Sequence, residues 1–572
     1  MESLPSEILE KIFRDKNLSF IELSRLSTTC KRFKEVGDTN DNWMIKFQLV
    51  YPQLFKHLPL PKLGKLSWKQ ELKKRLKIKK IVRQEIDEMA DKYFTKTELS
   101  KSDFHMFDDI LVQHHHDRSN VHLYITDELS LILKSGTDEE ELTAKYYSGK
   151  CIQHVKHAIM RPQVSSWPAM EDEGCLSYEA VLVQVALWCQ PSLLDCTAAV
   201  ARALDSLAAR VLGHLATSRP KHPIFRGQDT DSADTDWAQL IGLLPPVASS
   251  PGDTMWSAQD TRDILASTNH ILYEVEGFTG NKEDYYNPNN SYINVILETK
   301  QVSKALNRKQ NNNMVLCCIQ GIPITLSLLY TCILARLGVV CLPINFPGHF
   351  MLKWLERPDE AEDRRRFTFI DAFAGGRQMS EEEARELVPH LVVAQDSYQV
   401  AGPLAVAQRM LRNLISIGMS RSKGYGLLRS SLELMLILNT SDTMQYGFML
   451  SRVYLQLSIN HEDVMSMLQD YRDIPGIGDQ VDYLMNACQV QPLTIYSARL
   501  QSYLIRSFHR RFKWTTECLP RRNKSPRGGV FLTPAETLTV WSASMLAKCA
   551  GIRSTITSAS FMAGTCSALP AR

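Results

Sequence analysis

Ile8, Leu9, Ile12 and Phe13 fall at i, i+1, i+4 and i+5, so they share one stripe of a helix. Pro5 suits the first turn of that helix, where a missing N–H costs nothing, and Glu7 sits near the positive helix end. Ser19 with Glu22 three residues on reads as a capping box that opens a second helix through Leu23 and Leu26. A third short helix is predicted through "TTCKRFKEV", with Cys30 and Phe33 facing inward, and Trp43 and Phe47 close the segment. Three short helices enclose little core, so part of this apolar surface is expected to meet a partner.

Farther along, Lys62 to Arg83 alternates basic residues with Leu, Trp, Ile and Val at helical spacing. This reads as the solvated face of an amphipathic helix in preference to a nuclear-import or nucleic-acid patch. Pro323 marks a helix start and Gly338 its stop, and "ITLSLLYTCILAR" between them is apolar almost all round, the pattern of a helix buried in a core. "VVCLPINFPGHFMLKWL" reads as extended chain with a turn at Pro347-Gly348, and "RRFTFIDAFAGG" alternates and ends in a Gly-Gly turn. Residues 403–500 carry amphipathic helices that suggest a short tetratricopeptide-like stack or a plain helical subdomain, a contact surface in either case. The stretch 216–260 is rich in Pro, Ser, Asp and Thr and is expected to be surface loop, and Asn-rich 301–320 an insertion splitting one domain. From Arg521 a basic linker leads into a Ser/Thr/Ala-rich end without clear period, expected to be poorly ordered.

The expected organisation is mostly α with an α+β core. Its units are a three-helix segment at 1–50, a helical linker region at 51–174, an α+β domain at 175–400, a helical extension at 401–515 and a disordered tail at 516–572. A chain of 572 residues is long enough for several such cores. With 44% apolar and 23% charged residues and a net charge of +3, the composition argues for no nucleic-acid or membrane partner. The 13 cysteines form no CxxC pair and no Cys/His quartet, so no disulfide framework and no metal site is expected. "HHHD" at 114–117 reads as a surface run, because consecutive histidines cannot all point one way. No leader is evident and no apolar run reaches about 18 residues, so the protein is expected in the cytosol or nucleus.

The opening words "LPSEILEKIF", "LSFIELSRLSTTCKRFKEV" and "NWMIKF" resemble an F-box. A plain helical hairpin capping the next domain is the alternative. The resemblance implies that Leu4, Pro5, Ile8, Leu9, Ile12, Phe13, Leu23 and Leu26 dock on Skp1 and, through it, on a cullin-RING ubiquitin ligase.

A buried helix followed by strands that present His349 and Asp371 is the layout of a Cys-His-Asp hydrolase, whose nucleophile sits at the helix N-terminus. "YYNPNNSYINVIL", "GIPITLSLLY", "ILARLGV", "NFPGHFMLKW" and "FIDAFAGG", in that order, resemble the SirB1-type transglutaminase-like family, and "YEAVLVQVALWCQPSLLD" its opening helix. The nucleophile position falls near Ile324 or Thr325, and no cysteine is there. A threonine hydroxyl forms no thiolate and needs a well-placed base, so Thr325, His349 and Asp371 are read as a degenerate site. Cys317 and Cys318 precede the helix but lie inside the apparent insertion.

Codons can be chosen for Gly551 to Thr565 so that the neighbouring frame reads His-Lys-Lys-Tyr-His-Tyr-Lys-Cys-Val-Ile-Tyr-Gly-Trp-Asp. That phrase resembles the opening of a hemimethylated-DNA-binding (YccV/HspQ-like) domain. The tail is therefore read as frame-shifted and DNA binding is not expected of this chain, a reading that a transcript without that frame would overturn.

Together these resemblances imply the substrate-recognition subunit of an SCF-type E3 ubiquitin ligase, recruiting targets for ubiquitination and degradation, without a cofactor and without chemistry of its own. Two alternatives stand beside it: a transglutaminase- or amidohydrolase-like enzyme using Thr325, His349 and Asp371, and a scaffold that binds Skp1 without turnover of a target.

Overall fold

The computed structural model describes residues 4–489 apart from 59–65, 97, 114–119, 136–138, 227–236, 245–253, 299–318, 347, 357–366, 388–397, 422–423, 439–442, 473 and 475. Pro5 is the N-cap of α1 (Ser6–Arg14). The capping box is in place before α2 (Phe20–Leu26): Glu22 N–H donates to Ser19 Oγ at 3.2 Å, and Ser19 N–H donates to the Glu22 carboxylate at 2.7 Å. Cys30 is the N-cap of α3 (Lys31–Gly37), with its sulfur accepting from Phe33 N–H. Then follow α4 (Asn40–Val50), α5 (Pro52–His57) and α6 (Trp68–Tyr93). A 3-10 turn (Lys101–Phe104) leads to α7 (His105–Gln113), α8 (Val121–Lys134) and α9 (Glu139–Ser165).

These helices close over one core, in which Leu9, Phe13, Leu23, Phe47, Trp68, Val82, Tyr124 and Val155 are all buried. The region expected to be a linker is therefore part of the same folded body as the opening helices. The cause is the long apolar stripe of α6 (Trp68, Leu72, Ile78, Val82, Ile86 and Met89), which needs cover along its whole length. Phe47 supplies part of that cover, with its ring centroid 5.2 Å from that of Trp68. Lys73, Lys77, Lys79 and Lys80 face solvent. Arg75, in the middle of the same basic run, is completely buried.

A second core runs from Met160 near the end of α9 to Leu484. It takes in α10 (Trp167–Asp172), α11 (Tyr178–Cys189), α12 (Thr197–Ser218), α13 (Trp237–Leu243) and α14 (Ala258–Asn269), which continues into a π turn (His270–Val275). The expected loop 216–260 thus holds a 3-10 turn (Pro223–Phe225) and α13, with Ile224, Phe225 and Leu240 buried. Sparse but correctly spaced apolar residues outweigh the polar composition there.

Strand β1 (Phe278–Gly280) pairs in parallel with β2 (Ile319–Gly321). Next come α15 (Pro323–Arg336), β3 (Cys341–Ile344), β4 (Met351–Leu355), β5 (Phe367–Asp371) and β6 (Arg377–Met379), the last four an antiparallel sheet in sequence order. Pro323 opens α15, and Gly338, at φ 77°, takes the left-handed conformation just beyond its end. The sheet alternates as its residues do. Leu352, Trp354 and Ile370 join the main core, whereas Met351, Phe369 and Met379 form a small cluster on the other face, partly under α16 (Glu381–Glu386).

The extension comprises α17 (Pro403–Ser420), α18 (Tyr425–Ile437), α19 (Thr443–Leu457), α20 (His461–Gln469) and α21 (Gly478–Gln489). Its helices pack in succession, and α17 and α18 also lie against α11, so the extension shares the core of the α+β domain. No described helix is long and apolar enough to cross a membrane. The 114–117 histidines, most of the 301–320 stretch and the tail lie outside the described residues.

Candidate functional site

The turn ahead of β4 and the last residue of β5 bring His349 and Asp371 together, while Thr325 lies in the first turn of α15. Asp371 has two separate tasks. Its Oδ1 accepts the N–H groups of Phe373 at 2.9 Å and Ala374 at 3.1 Å, capping a 3-10 turn (Ala372–Ala374), and its Oδ2 lies 2.9 Å from Nε2 of His349. That contact has the distance of an ion pair, but the ring nitrogen makes no aligned hydrogen bond. The Phe373 ring stands edge-on to the imidazole, 6.2 Å between centroids. Gly376, at φ 73°, is where the chain turns back. Any Cβ there would run into the Asn269 side chain, which instead donates to the Gly376 carbonyl at 3.1 Å.

Thr325 is buried, and its hydroxyl has no hydrogen-bond partner among the described residues. Cys332, farther along α15, is also buried, which pushes its thiol up to about 12, and burial raises Cys341 at the start of β3 in the same sense. Neither sulfur is a nucleophile at neutral pH. Cys317 and Cys318 lie outside the described residues. Two hydroxyls that brace the turns around Asp371 were not foreseen from sequence: Tyr330 OH donates to Asn269 Oδ1 at 2.8 Å, and Tyr273 OH to the Ala372 carbonyl at 2.8 Å. The signal was Tyr330 itself, a hydroxyl inside an apolar run that must find an acceptor when buried.

The eight candidate docking residues separate by depth. Leu9, Phe13 and Leu23 are fully buried, with Phe13 edge-on to Phe33 at 5.7 Å. These three hold the opening helices together and present no surface. Leu4, Ile12 and Leu26 are half-buried, while Pro5 and Ile8 are exposed, Ile8 at 40%. Ile21 in α2, 50% exposed, is a further apolar side chain left open there, one that the helical spacing alone did not single out. Among the described residues no cluster of His, Cys, Asp or Glu could hold a metal ion.

Residues 1–48 match an F-box-like domain, and residues 199–305 and 307–412 match the Transglutaminase-like superfamily. The chain is 28% identical over 495 residues to "F-box only protein 21" of Pongo abelii, covering 84% of this chain and 70% of that one. It is 28% identical over 447 residues to "F-box only protein 21" of Homo sapiens, covering 76% of this chain and 62% of that one, under two thirds of the human protein's length. Over 161 residues it is 31% identical to a "UPF0162 protein" of Xylella fastidiosa (strain 9a5c), covering 27% of this chain and 48% of that one. No solved structure matches the chain.

Proposed function

We propose that this chain, a homologue of F-box only protein 21 over most of its length with an F-box-like segment ahead of a transglutaminase-like domain, is the substrate-recognition subunit of an SCF-type E3 ubiquitin ligase. The observation that carries the proposal is the F-box-like segment with Pro5, Ile8 and Ile21 left open on helices whose inner faces are firmly packed. Skp1 would cover those side chains and link the chain to a cullin-RING ligase. The α+β domain and its helical extension would present the target protein for ubiquitination and degradation, and ubiquitin transfer would be the work of the partner enzymes.

The transglutaminase-like domain is read as non-catalytic. Its threonine is sealed from substrate, its histidine is engaged by Asp371, and Asp371 is also needed as a backbone cap. The His349–Asp371 pair then ties the turn before β4 to the end of β5, a structural use of two residues suited to proton transfer.

Co-purification with Skp1 tests the first part and amine incorporation the second. Pro5→Ala with Ile8→Glu is expected to weaken Skp1 capture at least tenfold, about 1.4 kcal/mol, without unfolding, since both positions are exposed. Leu9→Ala is no substitute, because emptying a core position costs about 2–5 kcal/mol of stability and so confuses folding with docking. Skp1 capture unchanged in the double variant overturns the receptor reading. The same preparations are expected to incorporate no labelled amine into a glutamine donor. Incorporation abolished by His349→Ala would restore the enzyme reading.

A further inference from the structure

Two cavities of about 310 and 450 Å³ adjoin where α9 and the 3-10 turn Lys101–Phe104 of the first core face α18, α19 and α20 of the second. Both are lined by Lys101, Arg161 and Glu433, so they form one cleft between the two folded bodies. Most of its charges are already matched. Lys150 bonds Glu98 at 2.7 Å, Lys101 bonds Asp463 at 2.5 Å, Arg429 bonds Glu433 at 2.9 Å and His154 Nε2 lies 2.7 Å from Asp108. Arg161, exposed and shared by both cavities, has no ion-pair partner among the described residues.

The residue after it removes a second partner. Pro162 lies inside α9 and has no N–H to give the carbonyl of Ala158, which also lines the cleft. A guanidinium without an ion-pair partner among the described residues and a carbonyl without its helical donor thus stand one turn apart. Leu99 and Phe104 on one side, and Leu436, Leu450 and Met467 on the other, supply apolar wall. The segment that hydrogen-bonds Lys101, outside the lining itself, is held in an uncommon conformation. Ser458 and Asn460 are the described non-glycine residues with positive φ, at 55° and 51°. Asn460 Oδ1 accepts the Lys101 N–H at 2.7 Å, and its own N–H donates to Ser100 Oγ at 3.2 Å. Left-handed backbone at such residues persists where the surroundings enforce it, and it clusters at ligand clamps.

We propose that this cleft holds a peptide segment bearing an anionic side chain between apolar ones, the anion on Arg161 and a peptide N–H on the Ala158 carbonyl. A simple anion would use the guanidinium alone. The adjacent acceptor and the apolar walls fit a peptide. As the place where a target is held, the cleft rests on the receptor reading above; as a peptide site it stands without it. The transglutaminase-like pair His349–Asp371 has no part in it.

The test uses the full chain and three fluorescein-labelled dodecapeptides that differ at one central position between leucines: glutamate, phosphoserine or glutamine. Anisotropy is expected to show binding of the glutamate peptide, the phosphoserine peptide or both, with the glutamine peptide at least tenfold weaker. Which of the first two binds tighter identifies the natural anion. Arg161→Glu is expected to lose at least tenfold in affinity for the anionic peptides, whereas Arg472→Glu, an exposed charge reversal outside the cleft, leaves it unchanged. Equal binding of the glutamine peptide, unchanged binding in Arg161→Glu, or no binding of any of the three overturns the proposal. Skp1 capture is read on the same samples. Arg161→Glu keeps it, and a wild type that binds peptide without capturing Skp1 overturns the receptor reading alone.

Discussion

Arg75→Ala is expected to destabilise the first folded body by about 3–5 kcal/mol, the usual consequence of leaving buried charges without their partner. Arg75 has no exposed surface. Its Nη2 donates to Asp127 at 2.6 Å and to Glu128 at 2.7 Å, and its guanidinium lies 4.6 Å from the centre of the Tyr51 ring. Glu128, equally buried, also accepts from Arg83 Nε at 2.6 Å, and Tyr124 OH donates to Glu71. The network joins α6 to α8 and to the junction of α4 and α5, so it fixes the opening helices on the frame that carries them. Arg75→Lys is expected to recover less than half of the loss, because a point charge cannot reproduce the fork that spans two carboxylates. Arg75→Met combined with Glu128→Leu is expected to be milder than Arg75→Ala, since the two fully buried charges leave together and the partners left over, Asp127 and Arg83, both reach solvent. Urea unfolding combined with hydrogen exchange at residues 68–93 and 121–134 reads the effect. Protection in Arg75→Ala within about 1 kcal/mol of wild type would show that the network holds nothing together.

Arg75 also shows where reading the sequence stops. The capping box at Ser19 and Glu22, the bounds of α15 at Pro323 and Gly338, and the alternation along β4 are local patterns, and each is set by chemistry within a few residues. The basic run of α6 is also local in Lys73, Lys77, Lys79 and Lys80, which face solvent. Arg75 falls three residues from Leu72 and from Ile78, inside the apolar stripe, so its burial was implicit in the spacing. Its partners, 52 and 53 residues farther on, were not. The same limit applies to the supposed linker: the stripe of α6 announces that it must be covered, but not by which helices. At the candidate site, His349 and Asp371 were legible from their motifs, while the hydroxyls of Tyr273 and Tyr330 that brace the surrounding turns find acceptors distant in the chain. The cleft between the two cores is made of residues from 98 to 467 and has no sequence signature at all.

Glu433→Gln is expected to lower stability by roughly 3 kcal/mol at neutral pH, with a pH dependence that identifies the cause. Burial alone would raise this carboxyl. Arg429 on the same helix, His157 from α9 and the Tyr454 hydroxyl from α19, which donates at 2.6 Å, together hold it down to about 2. A folded-state pKa below the ordinary value of 4.5 means that the unfolded chain takes up the proton first. The carboxylate's stabilisation is therefore complete above about pH 4.5 and is lost as pH falls towards 2. In that window the gap between wild type and Glu433→Gln is expected to narrow by about 1.4 kcal/mol per pH unit, because wild type loses what the variant never had. His157, which burial lowers to about 4, adds its own loss from its ordinary 6.5 downwards, since protonating it favours the unfolded chain. That loss occurs in both proteins and leaves their difference nearly flat above pH 5. Urea midpoints at pH 7, 5 and 3.5 measure the gap. A gap of the same size at all three would mean that Glu433 is held by shape and hydrogen bonds rather than by its charge. The charge of Glu433 would then not be what holds α18 to His157 of α9, and the wall of the cleft would have to be explained by packing alone.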